Sequence, residues 1–593
     1  MLNEERTLVR ASAAGVNING SSNVVDADLL ATNGVIHAID EVLLPRDIKV
    51  ALEIPSLVEV AEEAGNFETL LSLVEEAGLT TTLQFLGPYT AFAPTDEAFA
   101  NLGVDAGSLS TEELTFILTY HVIADAEIAS GDLQAQQTVA SAAGEDLYIT
   151  AGEEGVFVNG NSEVISPDVD AANGIIHVVD NVLLPNAFLN NVQVAQKNYN
   201  FTTLVDLIVD ADLVETVATT ELTVFAPTND AFEALFAEVD PTSLSAQQIE
   251  DILFYHTVMG TILSGDLQTQ QTVESTLGED LYITVNGEVG VNGNSTVVAA
   301  DIQSTSGVIH AVDNVLLPNE LLNTVEVAQK NYNFTTLVSL ISDAGLADAV
   351  ASNEITVFAP TNDAFDALFE TVDASSLTGD QIEDILLYHT ILGAQVPSTA
   401  LAPEQTVESG SGESLYITAD NGGVVVNGSS NVITADITSG SDGTIHVIDS
   451  VLLPNAFQDI TAIAQKNYDL STLVGLLVDF ELVETLQGDG PFTVFAPTNA
   501  AFEAIESVVA GLTEEQIVDV LTYHVLAANV ESGDLQPTQT VEMLNEQEIT
   551  ITVSGGIVTI EDANGDTPEV IVADLIGTNG VIHIIDAVLV PAL

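Results

Sequence analysis

The residues best suited to chemistry are nine histidines, and all of them fall in two recurring strings. His37, His177, His310, His446 and His583 each stand in an Ile-His-x-x-Asp string, which pairs His177 with Asp180, His310 with Asp313, His446 with Asp449 and His583 with Asp586. His121, His256, His389 and His524 each follow a tyrosine: Tyr120, Tyr255, Tyr388 and Tyr523. A histidine near an aspartate suggests a Ser-His-Asp site, in which imidazole takes a serine proton. Along a regular strand, however, residues i and i+3 point to opposite faces, so His177 and Asp180 do not pair. No Gly-x-Ser-x-Gly elbow occurs. Two histidines per repeat are too few for a three-histidine zinc site, and His-Glu-x-x-His is absent. The expectation is no enzyme and no catalytic residue. These histidines are expected to satisfy buried backbone groups, and the aspartates to fix the turn that follows.

Two other groups could bind or couple. Asp562, Asn564 and Asp566 in EDANGDTPE resemble the start of a calcium loop but lack the distal glutamate; an ordinary hairpin turn is the simpler reading. No cofactor is expected, with calcium the one alternative. Lys197, Lys330 and Lys466 are the only basic residues beyond position 49, and each lies in the string Ala-Gln-Lys-Asn-Tyr. Glu63 takes that place once. Each lysine is expected to pair with acids of the preceding repeat and to help set the angle between repeats.

The elements that must position these groups come in repeats. Three strings recur in fixed order: TVFAPTNDAF, Tyr-His, and NGVIHAID-VLLP. Histidines of the third string are spaced by 140, 133, 136 and 137 residues. Boundaries are expected just after each VLLP, giving modules at 49–188, 189–321, 322–457 and 458–593. Residues 1–48 hold only the third string and read as the C-terminal half of a truncated module. The chain is thus expected to begin inside a module, with a secretion signal lost upstream.

Each module opens with a helical pattern, in which Phe201, Leu204, Val205 and Ile208 share a face and Asn200 would cap it. A strand follows, and then a helix capped by Thr228 that buries Phe232. The Tyr-His helix starts with a capping box in every module: Ser110/Glu113, Ser245/Gln248, Thr378/Gln381 and Thr513/Gln516. Its apolar stripe, Ile249, Ile252 and Leu253, continues to His256. That histidine should point inward at the helix C-terminus, where the helix dipole favours a cation. The second half of each module reads as antiparallel strands, with Asn159-Gly160 as a hairpin turn. Helices first and strands later argue for an α+β fold with a twisted sheet, not a parallel doubly wound one.

Composition bounds the partners. Against 89 acidic residues stand 7 basic ones, a net charge of −82. Nucleic acid and anionic membrane would be repelled. A salty setting would screen the self-repulsion, so a marine or halophilic prokaryote is expected. No apolar run reaches the roughly 18–20 residues of a membrane span. With no cysteine, disulfides and thiolate sites are excluded.

The three strings together resemble the signature of the FAS1 (beta-Ig-H3/fasciclin) family. The resemblance covers essentially the whole chain. It implies tandem modules, each a β-sandwich wedge with several helices, in a secreted or surface-anchored protein of adhesion or matrix assembly. It also implies a candidate adhesion motif at the Tyr-His pairs. Expected partners are cell-surface or matrix proteins or glycans, including further copies of the chain, met by multivalent weak contacts. The alternatives are a passive spacer within a larger surface protein and a calcium-dependent self-associating matrix component.

Overall fold

The fold was taken from a computed structural model, which describes residues 9–12, 15–18, 22–31, 34–40, 42, 54–102, 108–351, 354–420, 422–440, 443–509 and 511–592. The boundary expected at residue 48 lies outside these. The chain divides into two compact units, Met1–Leu316 and Leu317–Leu593, each described by itself.

Module 49–188 shows the plan. Five helices, α1 (Leu57–Ala64), α2 (Glu68–Glu76), α3 (Thr80–Phe85), α4 (Asp96–Asn101) and α5 (Thr111–Tyr120), dominate the first half. Strands β1 (Tyr89–Pro94) and β2 (Val122–Ala124) lie among them. Then come β3 (Gln136–Ala140), β4 (Asp146–Gly152), β5 (Gly155–Val158), β6 (Ser162–Ala171) and β7 (Gly174–Val179). The seven strands form one mixed sheet in the order β2-β1-β7-β6-β5-β4-β3. The fold is α+β, as expected. The strands are not all antiparallel, however: β1 runs parallel to β7, with Phe92 opposite His177. This pairing joins the first and last strings of the module and places both beneath the helices. The last module splits the same order into a four-stranded and a three-stranded sheet.

Three apolar clusters fill module 49–188, one of them among the helices around Leu73, Val74, Leu114 and Leu118; the other two flank the sheet. One lies between helices and sheet around Leu57, Phe67, Ile176 and Val178, and the other on the far side around Tyr120, Leu147, Ile149 and Val158. Burying both faces of the sheet explains why every residue of β7 is buried. In residues 1–48 the strands Ser22–Ala31 and Gly34–Ile39 pair as β6 and β7 do. There Val35 and Ile36 are exposed, whereas their counterparts Ile175 and Ile176 are buried.

All four capping boxes of the Tyr-His helix form, with both arms present. Thr228 caps its helix through the Ala231 amide, and Phe232 is buried. Asn200 is not a cap. The helix is Thr202–Asp210, and a 3-10 turn, Tyr199–Phe201, precedes it, capped by Asn198. The open amide of Thr203 is met by Asn229, at the start of the helix Asn229–Glu238, at 3.0 Å. The Asn159-Gly160 turn forms as expected, with φ of 53° and 73°.

Candidate functional site

The Tyr-His histidines are built into the core. His121 lies one residue past α5, and its ring meets two backbone groups. The Leu183 amide donates to Nε2 at 2.8 Å, and Nδ1 lies 2.8 Å from the Ile117 carbonyl. An accepting Nε2 leaves the proton on Nδ1, so the ring is neutral. The same two bonds recur at His256, with Ile252 and Leu316; at His389, with Ile385 and Leu452; and at His524, with Val520 and Leu589. The expected cation at the helix end does not form. Desolvation outweighs the dipole and pushes all four pKa values down to about 4. Each histidine ties the end of its helix to the VLLP segment about 60 residues away.

In the four complete modules the histidines of the third string are equally committed. The Asp168 amide donates to His177 Nδ1 at 3.3 Å, so Nε2 carries the proton and donates to the Ile128 carbonyl at 2.7 Å. Burial lowers this pKa as well. Asp180 does not meet His177; it accepts the Glu163 amide at 2.7 Å and holds the start of β6. Asp313, Asp449 and Asp586 hold their own strands in the same way.

The aspartate beside the histidine is Asp168, which the sequence reading missed. It sits at φ 60° and accepts both the amide and the hydroxyl of Ser130. Asp301, Asp436 and Asp574 bind Ser264, Ser398 and Ser532 likewise. A serine, an aspartate and a histidine thus do come together, but as a lock. The serine bonds the carboxylate, and both ring nitrogens are held by backbone, so none can take a serine proton. An aspartate nine or ten residues before each Ile-His histidine was the available signal.

Two of the tyrosines, Tyr120 and Tyr388, meet lysines. Tyr120 is fully buried; its hydroxyl donates to the Asp146 carbonyl at 2.8 Å and accepts from Asn159 at 3.0 Å. It also accepts from Lys197 Nζ at 2.9 Å, and the ammonium lies 4.9 Å from the ring centroid and 3.6 Å from Glu145. Lys466 repeats this with Tyr388 at 3.1 Å and Glu413 at 3.9 Å. Lys330 Nζ donates to the Leu317 carbonyl at 3.3 Å and to Asn319 at 2.6 Å. All three lysines are buried. Burial lowers Lys197 and Lys466 to about 8, against the pull of the glutamates. Glu63, at the equivalent place in the first complete module, is exposed.

At Asp562, both carboxylate oxygens are taken by backbone amides. Oδ1 accepts from Asn564 and Asp566, and Oδ2 from Val590. Asn564 donates to the Val590 carbonyl at 2.9 Å. Among the described residues, no group of three or more His, Cys, Asp or Glu is arranged to hold a metal ion.

What repeats at the surface is different. The register of β6 with β7 shifts between Val164 and Ser166, so Ile165 is an extra residue in a bulge, and it is 53% exposed. The same shift presents Val298 at 58%, Ile433 at 57% and Ile571 at 52% exposure. Val25 stands at the same shift in residues 1–48. Every repeat therefore turns one aliphatic side chain into solvent at one backbone irregularity.

The fasciclin domain model matches residues 2–45, 65–185, 199–318, 332–454 and 468–591. The chain is 27% identical over 554 residues to transforming growth factor-beta-induced protein ig-h3 of Sus scrofa, covering 91% of this chain and 78% of that one. It is 27% identical over 534 residues to human periostin, covering 85% of this chain and 60% of that one. An uncharacterized Synechocystis protein is 44% identical over 135 residues, 22% of this chain and 98% of its own length. Among solved structures, a FAS1 domain pair from the insect cell adhesion molecule fasciclin I matches at 20% identity and a TM-score of 0.34, over 44% of this chain and 97% of that one. With the model matched over most of its length, the chain belongs to the fasciclin domain family.

Proposed function

We propose that the chain is an extracellular or cell-surface adhesion or matrix protein that acts by many weak protein contacts, with the bulge aliphatic as the contact repeated from module to module. The observation behind this reading is the recurrence of Ile165, Val298, Ile433 and Ile571, all more than half exposed, at one bulge in each complete module. A single exposed aliphatic is ordinary. The same one, raised in each repeat by a bulge that interrupts its ladder, is not what core packing requires. Covering one such side chain is worth at most about 1.5–3 kcal/mol, which gives only a weak contact. Several engaged at once gain avidity without any strong site.

The Tyr-His pairs are not the contact in this reading, because both side chains are buried and present nothing to a partner. Binding rather than catalysis fits the committed ring nitrogens of the histidines. The excess of acid selects against anionic partners. No helix of the described residues is long and apolar enough to cross a membrane.

The test is attachment of cells to surfaces coated with the whole chain at rising density. The reading expects attachment that rises steeply with density and survives a calcium chelator. No attachment at any density would make the chain a spacer. Loss on chelation would place the contact in calcium bridges between acidic surfaces.

A further inference from the structure

The last module treats its lysine-binding face differently from the others. In module 49–188 that face consists of the Tyr120 hydroxyl and ring and the Glu145 carboxylate, and Lys197 of the next module enters it. In module 322–457 it consists of Tyr388, Glu413 and the Leu453 carbonyl, which Lys466 approaches at 3.5 Å.

Two changes alter it in module 458–593. Gln547 stands where Glu145 and Glu413 stand, so the lysine's carboxylate is gone. The glutamine keeps that carboxylate's other duty. It accepts the Ala592 amide at 2.8 Å, as Glu145 accepts the Asn186 amide at 2.9 Å. The tight Asn-Gly turn, Asn427-Gly428 in module 322–457, is replaced by the longer loop through Asp562, Asn564 and Asp566. That loop folds onto the face. Asn564 Nδ2 donates to the Val590 carbonyl at 2.9 Å, the same VLLP position that Lys466 meets at Leu453. A backbone hydrogen bond from Ala563 acts on the Tyr523 hydroxyl, in the role that the turn asparagines Asn159 and Asn427 fill at Tyr120 and Tyr388. Asp562 pins the loop through three amides, including that of Val590.

We infer that this loop is a plug. It places the neutral Asn564 amide on the carbonyl where a following module would place an ammonium, and the glutamine removes the charge that would attract one. The last module's docking face is thereby closed to any lysine-bearing module, whether in the same chain or in a second copy. The sockets at Tyr120 and Tyr388 are couplers that hold each module to the one that follows; this one is self-satisfied. The loop that resembles a calcium site is, on this account, a piece of the joint.

The test extends the whole chain by a second copy of residues 458–593, joined as 457 joins 458. The chain has no cysteine, so one cysteine on each side of the new joint takes a spin label cleanly. In the extended chain with its native loop, the inter-label distances should be broad. Replacing the loop by Asn-Gly together with Gln547→Glu should narrow them to the width measured at the native 457/458 joint. Changing the lysine of the added copy to methionine should broaden them again. Equal widths with and without the plug would overturn the inference, as would a narrow joint that does not need the lysine. Because the expected result is a gain of order, misfolding of a variant cannot mimic it.

Discussion

His256 and Val298 lie in the same module and recur with the same period, yet one is 2% exposed and the other 58%. The histidine looks like chemistry and acts as a strut, joining a helix end to a distant strand end by two buried bonds. The valine looks like any aliphatic and is the side chain each bulge turns outward. Repetition alone therefore does not mark a binding site. A residue can recur because the module cannot close without it, or because its surroundings meet something outside. Burial separates the two cases, and the comparison can be pressed by mutation.

The largest effect should come from the strut. His256→Ala strands the buried Leu316 amide and leaves a cavity. It should cost about 3–5 kcal/mol, read as a lower urea midpoint for that module. A loss below about 1 kcal/mol would mean that the strut carries little.

Acid should act through the same groups. The folded pKa of each strut histidine, about 4, lies below the ordinary 6.5, so the unfolded chain binds more protons between these values. Stability is then full above pH 6.5 and falls as the pH drops towards 4, by about 3 kcal/mol per module. Denaturant titrations at high salt, where carboxylate repulsion is muted, should show this slope, and His256→Ala should flatten it for its own module. A slope that is unchanged by removing the histidine would assign it to other groups.

A smaller effect is expected at the joint. Tyr120→Phe takes a hydroxyl from both Asn159 and Lys197, and should lower the stability of module 49–188 by about 2 kcal/mol. Thermal unfolding of the whole chain would show that module melting first. The smallest effect on stability is expected at the bulge. Val298→Ser leaves packing untouched and should change the unfolding midpoint by less than about 0.5 kcal/mol.

Much of the fold was legible because its signals are local. Ser245 and Gln248 announce a helix start three residues apart, and Asn159-Gly160 announces a turn by itself. The parallel pairing of Phe92 with His177 was not legible, since register between strands 85 residues apart is set by the whole packed sheet. Asn200 was misread as a cap because the 3-10 turn before the helix depends on Asn198 and on Asn229 from another helix. The inward histidines could be read from their helical stripe, but not their charge, because desolvation depends on what closes over them. The lysines stood out by rarity, yet that Lys197 lies over Tyr120 needed the sheet to bring positions 77 residues apart together. The bulge was invisible, because an extra residue in one strand leaves no mark in its composition.

The most direct test removes the surface and spares the struts. Ile165, Val298, Ile433 and Ile571 are changed together to serine in the whole chain, and attachment to coated surfaces is measured beside the unfolding midpoint. The account predicts an unchanged midpoint and attachment reduced by more than tenfold, with each single change nearly silent. Full attachment by the fourfold variant would contradict it.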